Sequence, residues 1–369
     1  MRRKFGLGLA CAAGVAVNLL ILGPGALKLA LHGQGDFQAA YTGAAIPHTP
    51  FDPEAIARVQ TERFGKPNDQ LLPIRLPFWF AMLSPMARLD YPRAHLVWTV
   101  GMTLAAVAFA WLVPADQRSN AALACCWSLP LVTAIVIGQD LPLLLAILAA
   151  ALRLRDAGRP FAAGCVLALC LIKFHLFVLL PLPFLRGREW RLMGGWAAGV
   201  LVLVAASFLA AGTGWPRDYL ALIVREGNVN AGAQWAMPTL HGIAAHFRWG
   251  LMVEAALSLA AIGLAIRAVQ RNSFEVGFAA SLAGGYLIAR HAYMQDCSIL
   301  LPALLILARP GGFAKEAAHI LAIALLFPVI YAFLFVEQVW IIAAGIAMLL
   351  AALALGPAGA APAGHPAAG

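Results

Sequence analysis

Long apolar runs, separated by short loops that carry Arg and Lys, constrain this chain more than any other feature. The runs 192–212 and 317–335 approach the roughly 20 apolar residues that cross a bilayer as a helix. Only 12% of the residues are charged and 62% are hydrophobic, which is too little polar surface to coat a soluble globule of 369 residues. The sequence therefore predicts an all-α, polytopic integral membrane protein, with the lipid bilayer as its first partner.

The basic loops are interpreted as topology signals. A formal net charge of +9 would suggest a nucleic-acid partner in a soluble protein, but here Lys and Arg cluster between apolar runs, and no nucleic-acid partner is predicted. The basic start Met1–Lys4 places the N-terminus inside, and an uncleaved first span is favoured over a secretory signal peptide. Two large external loops follow, at 28–91 and 213–249. The apolar stretch 76–89 within the first loop is too short to span and is predicted to be an interfacial helix.

Alternation of the remaining runs predicts about twelve membrane helices with both termini cytoplasmic. The stretch 160–185 has Arg-bearing loops at both ends, so we interpret it as two half-length helices that turn at Lys173. A single transmembrane domain is expected over 1–355, with a disordered cytoplasmic tail at 356–369. The other spans are predicted at 92–113, 121–137, 141–153, 192–212, 250–267, 274–290, 297–309, 317–335 and 338–355.

Two carboxylates lie at helix ends on the predicted external face. Asp36 follows the first span, where a carboxylate can act as a general base towards an acceptor hydroxyl. Asp140, in the turn after the third span, could bind an acceptor hydroxyl or a metal ion. Each also precedes a helix, so the alternative for both is an N-cap, and spacing alone favours the cap.

Lys173 lies between two apolar runs of similar length. A lysine in such a position is costly unless it faces a polar cavity or has a partner, and it could bind a phosphate as a point charge. The alternative is a snorkelling lysine whose long side chain reaches the membrane interface.

A second polar group spans residues 290–296, where Arg290, His291 and Asp296 follow an apolar run. Arg and His together suit a phosphate-bearing ligand, and the alternative is an ordinary polar turn. Weaker candidates in the second external loop are Arg225, Asn228, Asn230, His241 and His246.

Several common motifs are missing from the sequence. The chain has no GxxxxGK[ST] nucleotide-phosphate loop, which argues against an ATP-driven pump, and no HExxH box, which argues against an intramembrane metalloprotease. The six cysteines lie in or beside apolar runs without metal-type spacing.

The order of several short motifs resembles glycosyltransferase family 87. These motifs are Gly35-Asp36-Phe37 with Tyr41, Gly138-Gln139 before a Leu-rich helix, the stretch 163–181 around Lys173, Met237–Gly242, and His291–Asp296 followed by an apolar run. The resemblance covers about residues 5–310. It implies a polytopic fold of the GT-C type and a polyprenyl-phosphate-linked sugar donor, typically polyprenyl-phosphate mannose.

The resemblance also implies roles for particular residues. Asp36 would be the catalytic base and His291 a second catalytic residue, while Lys173 would lie near the lipid phosphate. Residues assigned to substrate binding are Lys173, Arg290, His175, Asp140, Gln139, Asp296 and His241. No cofactor is assigned, and the need for a divalent cation is left open.

The expected function is inverting transfer of a sugar, with mannose favoured, to a lipid or glycan acceptor. The expected location is the external (periplasmic) face of a bacterial inner (plasma) membrane. The alternatives are a transporter or flippase for a lipid-linked or amphiphilic solute, and an inactive relative retained as a membrane scaffold. Transporters usually contain an internal repeat, and the absence of a detectable one favours the enzyme.

Overall fold

The computed structural model describes residues 2–33, 35–186, 189–229, 231–308 and 316–355, and helices are the only regular secondary structure in them. The all-α prediction is therefore confirmed. The chain forms two compact units, Met1–Phe174 with Arg191–Gln234, and His175–Trp190 with Trp235–Gly369. The tail predicted to be disordered, 356–369, lies outside the described residues. The single domain expected over 1–355 stays a prediction.

The first unit is built around helix α8, which contributes a row of buried Leu and Ala residues and packs against α5 and α9. Its α-helices are α1 (Arg2–His32), α2 (Phe37–Ala45), α3 (Pro53–Phe64), α4 (Pro77–Leu83), α5 (Tyr91–Leu112), α6 (Arg118–Trp127), α7 (Leu129–Val136), α8 (Leu141–Asp156), α9 (Pro160–Ala168), α11 (Trp190–Ala211) and α12 (Trp215–Val229). Three 3-10 helices accompany them, at Ser84–Arg88, Ala115–Gln117 and Leu169–Leu176.

The second unit has α15 at its centre, and nearly every residue of that helix is buried against α14, α16 and α18. Small residues permit this packing, since a Cβ on Gly285 would lie 2.6 Å from the Leu176 carbonyl oxygen. The α-helices of this unit are α10 (Leu182–Arg186), α13 (Leu240–Ala244), α14 (Gly250–Arg271), α15 (Phe274–Ile288), α16 (Leu301–Leu307), α17 (Glu316–Leu326) and α18 (Trp340–Leu355). The 3-10 helices are Met294–Leu300 and Pro328–Val336, while a further one, Ala231–Ala236, runs across the boundary between the units.

The described residues contain four helical segments that are long and apolar enough to cross a membrane, or six if two bent pairs each form one span. The predicted count of twelve membrane helices therefore stays a prediction. The four segments are Gly6–Ala45, Tyr91–Leu112, Trp190–Ala211 and Gly250–Arg271, and the shorter apolar helices are Pro160–Leu176, Phe274–Ile288, Met294–Leu307 and Trp340–Leu355.

Two predicted spans are bent by proline. The predicted span 121–137 consists of α6 and α7 at an angle of 62°, and Pro130 lies in the first turn of α7. The predicted span 317–335 consists of α17 and a 3-10 helix at 63°, with Pro328 at the break. Proline has no N–H to continue the preceding helix and its ring clashes with the preceding turn, which explains both bends.

The predicted interfacial segment 76–89 is helical, as α4 followed by the 3-10 turn Ser84–Arg88. Its placement at a membrane interface stays a prediction. The stretch predicted to turn at Lys173 forms α9 and a 3-10 helix whose backbone leaves the helical region at that lysine (φ −129°, ψ 54°). The predicted external loop 213–249 is largely helical, since it contains α12 and α13.

Candidate active site

The start of α2 packs directly against the turn between α7 and α8. A Cβ on Gly35 would lie 2.3 Å from the Ile137 carbonyl oxygen, and one on Gly138 would lie 2.8 Å from Cβ of Phe37. Gly138 also has a positive φ of 79°, which favours glycine. The indole of Trp98 on α5 donates a hydrogen bond to the Gly138 carbonyl (2.9 Å) and stacks on Phe37. These contacts bring the residues after Gly35 and after Gly138 together.

Asp36 and Gln139 meet at this contact. The Gln139 amide nitrogen donates a hydrogen bond to Oδ2 of Asp36, and its amide oxygen accepts a longer one from Nη2 of Arg75 (3.4 Å). The two bonds together determine which way the amide faces. Asp36 occupies the N-cap position of α2, but its side chain makes no capping hydrogen bond, so the capping alternative is wrong.

Asp140 is held by two cations. Arg75 binds both carboxylate oxygens, through Nε to Oδ2 (2.9 Å) and Nη2 to Oδ1 (3.3 Å), and Nζ of Lys173 lies 3.8 Å from Oδ1. Asp140 also makes no side-chain cap for α8, so its predicted capping role is wrong as well. Asp140, Arg75, Gln139 and Asp36 thus form a continuous chain of hydrogen bonds, with Lys173 attached at one end.

This chain of polar groups, which we call the Asp36–Lys173 cluster, consists of Asp36, Arg75, Gln139, Asp140 and Lys173. Burial by itself would raise the pKa of the Asp140 carboxyl, but the Arg75 guanidinium and the Lys173 ammonium outweigh it and hold that pKa below its ordinary value. Lys173 is only 3% exposed, so it does not extend to the surface as a snorkelling lysine would.

Sequence reasoning missed Arg75. It lies in the apolar segment Leu71–Leu76, just before α4. An isolated cation in an apolar segment is the one sequence feature that could have marked it as a site residue. Its partners are more than 60 residues away in the chain, so local sequence gives no indication of them.

A second cluster forms in the other unit around Glu254 on α14, which sequence reasoning also missed. One Glu254 oxygen lies 2.9 Å from Nδ1 of His241, and the other lies 2.9 Å from Nε of Arg290. The glutamate is nearly buried, whereas the Arg290 side chain is 66% exposed. The sequence feature that could have identified Glu254 is an acidic residue within the apolar segment at the start of α14.

The remaining predicted residues of this unit lie near one another. The rings of His175 and His291 are 6.3 Å apart, and His291 lies edge-on to Tyr293 at 5.2 Å. Asp296 is buried and its carboxylate accepts a hydrogen bond from the Tyr293 backbone N–H (2.8 Å). That local bond matches the alternative of a polar turn, and substrate binding by Asp296 stays a prediction.

The predicted site residues therefore fall into two groups. The first unit brings together Asp36, Gln139, Asp140 and Lys173, and the second contains His175, His241, Arg290, His291 and Asp296. Of the weaker candidates, Arg225 pairs with Asp69 and His246 is exposed. Asn230 and the side chain of Asn228 lie outside the described part of the chain. No group of three or more His, Cys, Asp or Glu in the described ranges could hold a metal ion.

The model of glycosyltransferase family 87 matches residues 77–292, which is more than half of the chain. The protein therefore belongs to glycosyltransferase family 87 and is a membrane glycosyltransferase by family. The matched region includes Gln139, Asp140, Lys173 and His291, while Asp36 and Arg75 precede it. No curated protein and no solved structure shows significant similarity to the chain.

Replacement of Gly35 by Ala is expected to reduce sugar transfer by about 10²-fold, the scale of a 1 Å misplacement in an active site. The added Cβ would meet the backbone of Ile137, which cannot move aside cheaply, so the Asp36 carboxylate should shift away from Gln139. The measurement is transfer by equal amounts of monodisperse protein. Gly101→Ala on α5 is the control, because its Cβ would meet nothing within 4 Å. Equal activity of the two variants would show that the close approach of α2 does not position Asp36.

Proposed function

We propose that this protein transfers a sugar, with mannose the leading candidate, from a polyprenyl-phosphate donor to a hydroxyl of a lipid or glycan acceptor. We further propose that the reaction takes place on the external face of a bacterial inner membrane. The observation that carries the proposal is the Asp36–Lys173 cluster, in which one hydrogen-bond chain links a carboxylate to two cations.

Asp36 is proposed as the general base. The hydrogen bond from Gln139 holds its carboxylate in one orientation, and the side chain makes no capping hydrogen bond to α2. Pre-organised side chains of this kind are what general-base catalysis requires, since the base must be within hydrogen-bond reach of the acceptor proton.

Arg75 and Lys173 are proposed to stabilise the phosphate of the donor. Arg75 and the buried Lys173 both lie against the Asp140 carboxylate, so this end of the cluster holds two cations. A buried charge is costly in a protein of this type, and such groups commonly mark a substrate path. A phosphate bears negative charge and accepts hydrogen bonds from both kinds of cation.

In the proposed reaction the acceptor hydroxyl oxygen attacks the anomeric carbon while its proton passes to the Asp36 carboxylate. The bond between the anomeric carbon and the phosphate oxygen breaks, and its electron pair stays on that oxygen. Negative charge therefore grows on the departing polyprenyl phosphate, where Lys173 and Arg75 stabilise the transition state more than the bound donor. A single displacement inverts the configuration at the anomeric carbon.

The second unit is proposed to bind substrate as well. Arg290 is oriented by Glu254 but largely exposed, which suits an arginine that receives an anionic ligand. His291 is proposed as the second catalytic residue, as its motif implies. These roles rest on the family motifs and the local contacts of this unit.

The reaction is tested with purified full-length protein in liposomes that contain polyprenyl-phosphate mannose labelled in the sugar. We expect label to move to a lipid or glycan acceptor, with unlabelled polyprenyl phosphate released in equal amount, and the new linkage to be inverted by NMR. GDP-mannose supplied alone should give no product. Transfer from the nucleotide sugar would contradict the proposed donor, and movement of intact donor across the bilayer without product would favour the transporter.

A further inference from the structure

A cavity of about 460 Å³ lies in the first unit, between the segment that follows α2 and one face of α12. This volume falls within the range of pockets that bind small ligands. Its lining, which we call the Trp215 pocket, includes His48, Phe51, Asp52, Trp215, Asp218 and Arg225.

Two contacts hold the walls of the Trp215 pocket together. Nδ1 of His48 lies 2.7 Å from the carbonyl oxygen of Ala210 near the end of α11, and the Arg225 guanidinium pairs with Asp69. Both contacts join segments that are more than 150 residues apart in the chain. The walls are thus linked without a ligand.

The chemistry of the lining favours a neutral ligand rich in hydroxyl groups. Asp52 and Asp218 disfavour an anion, and the Arg225 guanidinium is paired with Asp69. Carboxylates accept hydrogen bonds from hydroxyl groups, and the aromatic rings of Phe51 and Trp215 offer apolar faces. Sugar rings present both kinds of surface.

The indole N–H of Trp215 provides an independent observation. Trp215 is 9% exposed, and its indole nitrogen is buried without a hydrogen-bond acceptor in the described part of the chain. A buried donor without an acceptor is uncommon and calls for an explanation, and a ligand hydroxyl at this wall would satisfy it.

The position of the pocket indicates which part of a substrate it binds. Helix α2 starts after Asp36 and runs for nine residues, about 13 Å, to the segment that carries His48, Phe51 and Asp52. A reacting carbon must approach within about 3.5 Å of the attacking hydroxyl, which Asp36 activates in the proposed reaction, so the separation along α2 favours a sugar unit other than the one being transferred. The ligand of the pocket can instead be a sugar unit of the acceptor that lies farther from the attacking hydroxyl.

We propose that the Trp215 pocket binds a sugar unit of a glycan-bearing acceptor, held by Asp218 and by the N–H and ring of Trp215. The inference rests on the proposed transferase function, and it narrows the acceptor to one that already carries a sugar.

Saturation-transfer NMR tests binding without any need for transfer. The probes are the methyl glycosides of mannose, glucose and galactose and the corresponding disaccharides, added to purified full-length protein in detergent. We expect at least one probe to bind the wild type, and Trp215→Phe and Asp218→Asn each to weaken it by about tenfold or more. Exposed residues supply the controls Trp249→Phe and Asp116→Asn, which should bind like the wild type.

The two proposals fail separately. Equal binding by the wild type and the pocket variants, or no binding of any probe to the wild type, would overturn the pocket proposal. The transferase proposal is judged instead by release of polyprenyl phosphate and loss of transfer in Asp36→Asn. If the pocket variants retain wild-type KM for a glycan acceptor while Asp36→Asn is inactive, the pocket proposal alone is wrong. Two pocket variants are used because, if one of them misfolds, the other still tests whether the pocket binds the sugar.

Discussion

Replacement of Asp36 by Asn is expected to lower sugar transfer by about 10²- to 10⁴-fold, the usual contribution of a general base. Asn is nearly the same size and can still contact Gln139, but it cannot accept the acceptor proton. Because the Asp36 side chain makes no capping bond to α2, the variant should fold and insert as the wild type does.

The measurement is transfer of labelled mannose from polyprenyl-phosphate mannose in liposomes, at matched amounts of protein, with thermal melting as the check on folding. Asp116→Asn is the matched control, because Asp116 is an exposed aspartate in a short 3-10 helix. Full activity of Asp36→Asn in a correctly folded protein would exclude Asp36 as the base. Loss of activity accompanied by a lower melting temperature would assign it a structural role instead.

Replacement of Asp140 by Asn is expected to destabilise the protein by about 3–5 kcal/mol, the typical cost of removing one partner from a buried ion pair. Asp140 is 4% exposed and lies against the charges of both Arg75 and Lys173, so the substitution removes a counter-charge that the two cations share. The second change Lys173→Met should recover part of this stability, because it removes one of those cations. Sugar transfer should not recover in the double variant.

Thermal melting of the wild type, Asp140→Asn and the double variant measures these effects. The Asp140 pKa is lower in the folded protein, so its contribution to stability is present at neutral pH and is lost as pH falls through that lowered value. The difference in melting temperature between the wild type and Asp140→Asn should therefore stay constant from about pH 8 to about pH 5. It should shrink only below about pH 4. Equal melting temperatures at neutral pH would mean that the ion pairs contribute no net stability.

Helix positions could be predicted well from sequence because each depends on a local run of apolar residues. The predicted span 92–113 is α5, Tyr91–Leu112, and the predicted span 192–212 is α11, Trp190–Ala211. The backbone also leaves the helical region at Lys173, where charge alternation placed a turn. The membrane crossings cannot be counted in this way, since several helices are shorter than a bilayer requires and two spans are bent at proline.

Side-chain partners could not be predicted, even where the right residues were selected. Asp36 and Asp140 both precede helices, and local spacing favoured a cap for each, yet Asp36 binds Gln139 and Asp140 binds Arg75. A cap depends on the next few residues, whereas these partners are 103 and 65 positions away. Burial of the Asp140 charge makes a distant cation a better partner than a local N–H.

The sequence by itself determined that the protein is helical and apolar enough for a membrane, and its ordered motifs identified glycosyltransferase family 87. It also identified Asp36, Asp140 and Lys173 as unusual polar residues. Only the tertiary structure decided that Arg75 joins them, that Glu254 pairs with His241 and Arg290, and that a pocket forms at Trp215. The physical reason is that hydrophobic periodicity acts over a few helical turns, whereas a buried charge is satisfied by whichever residues the fold brings within hydrogen-bond distance.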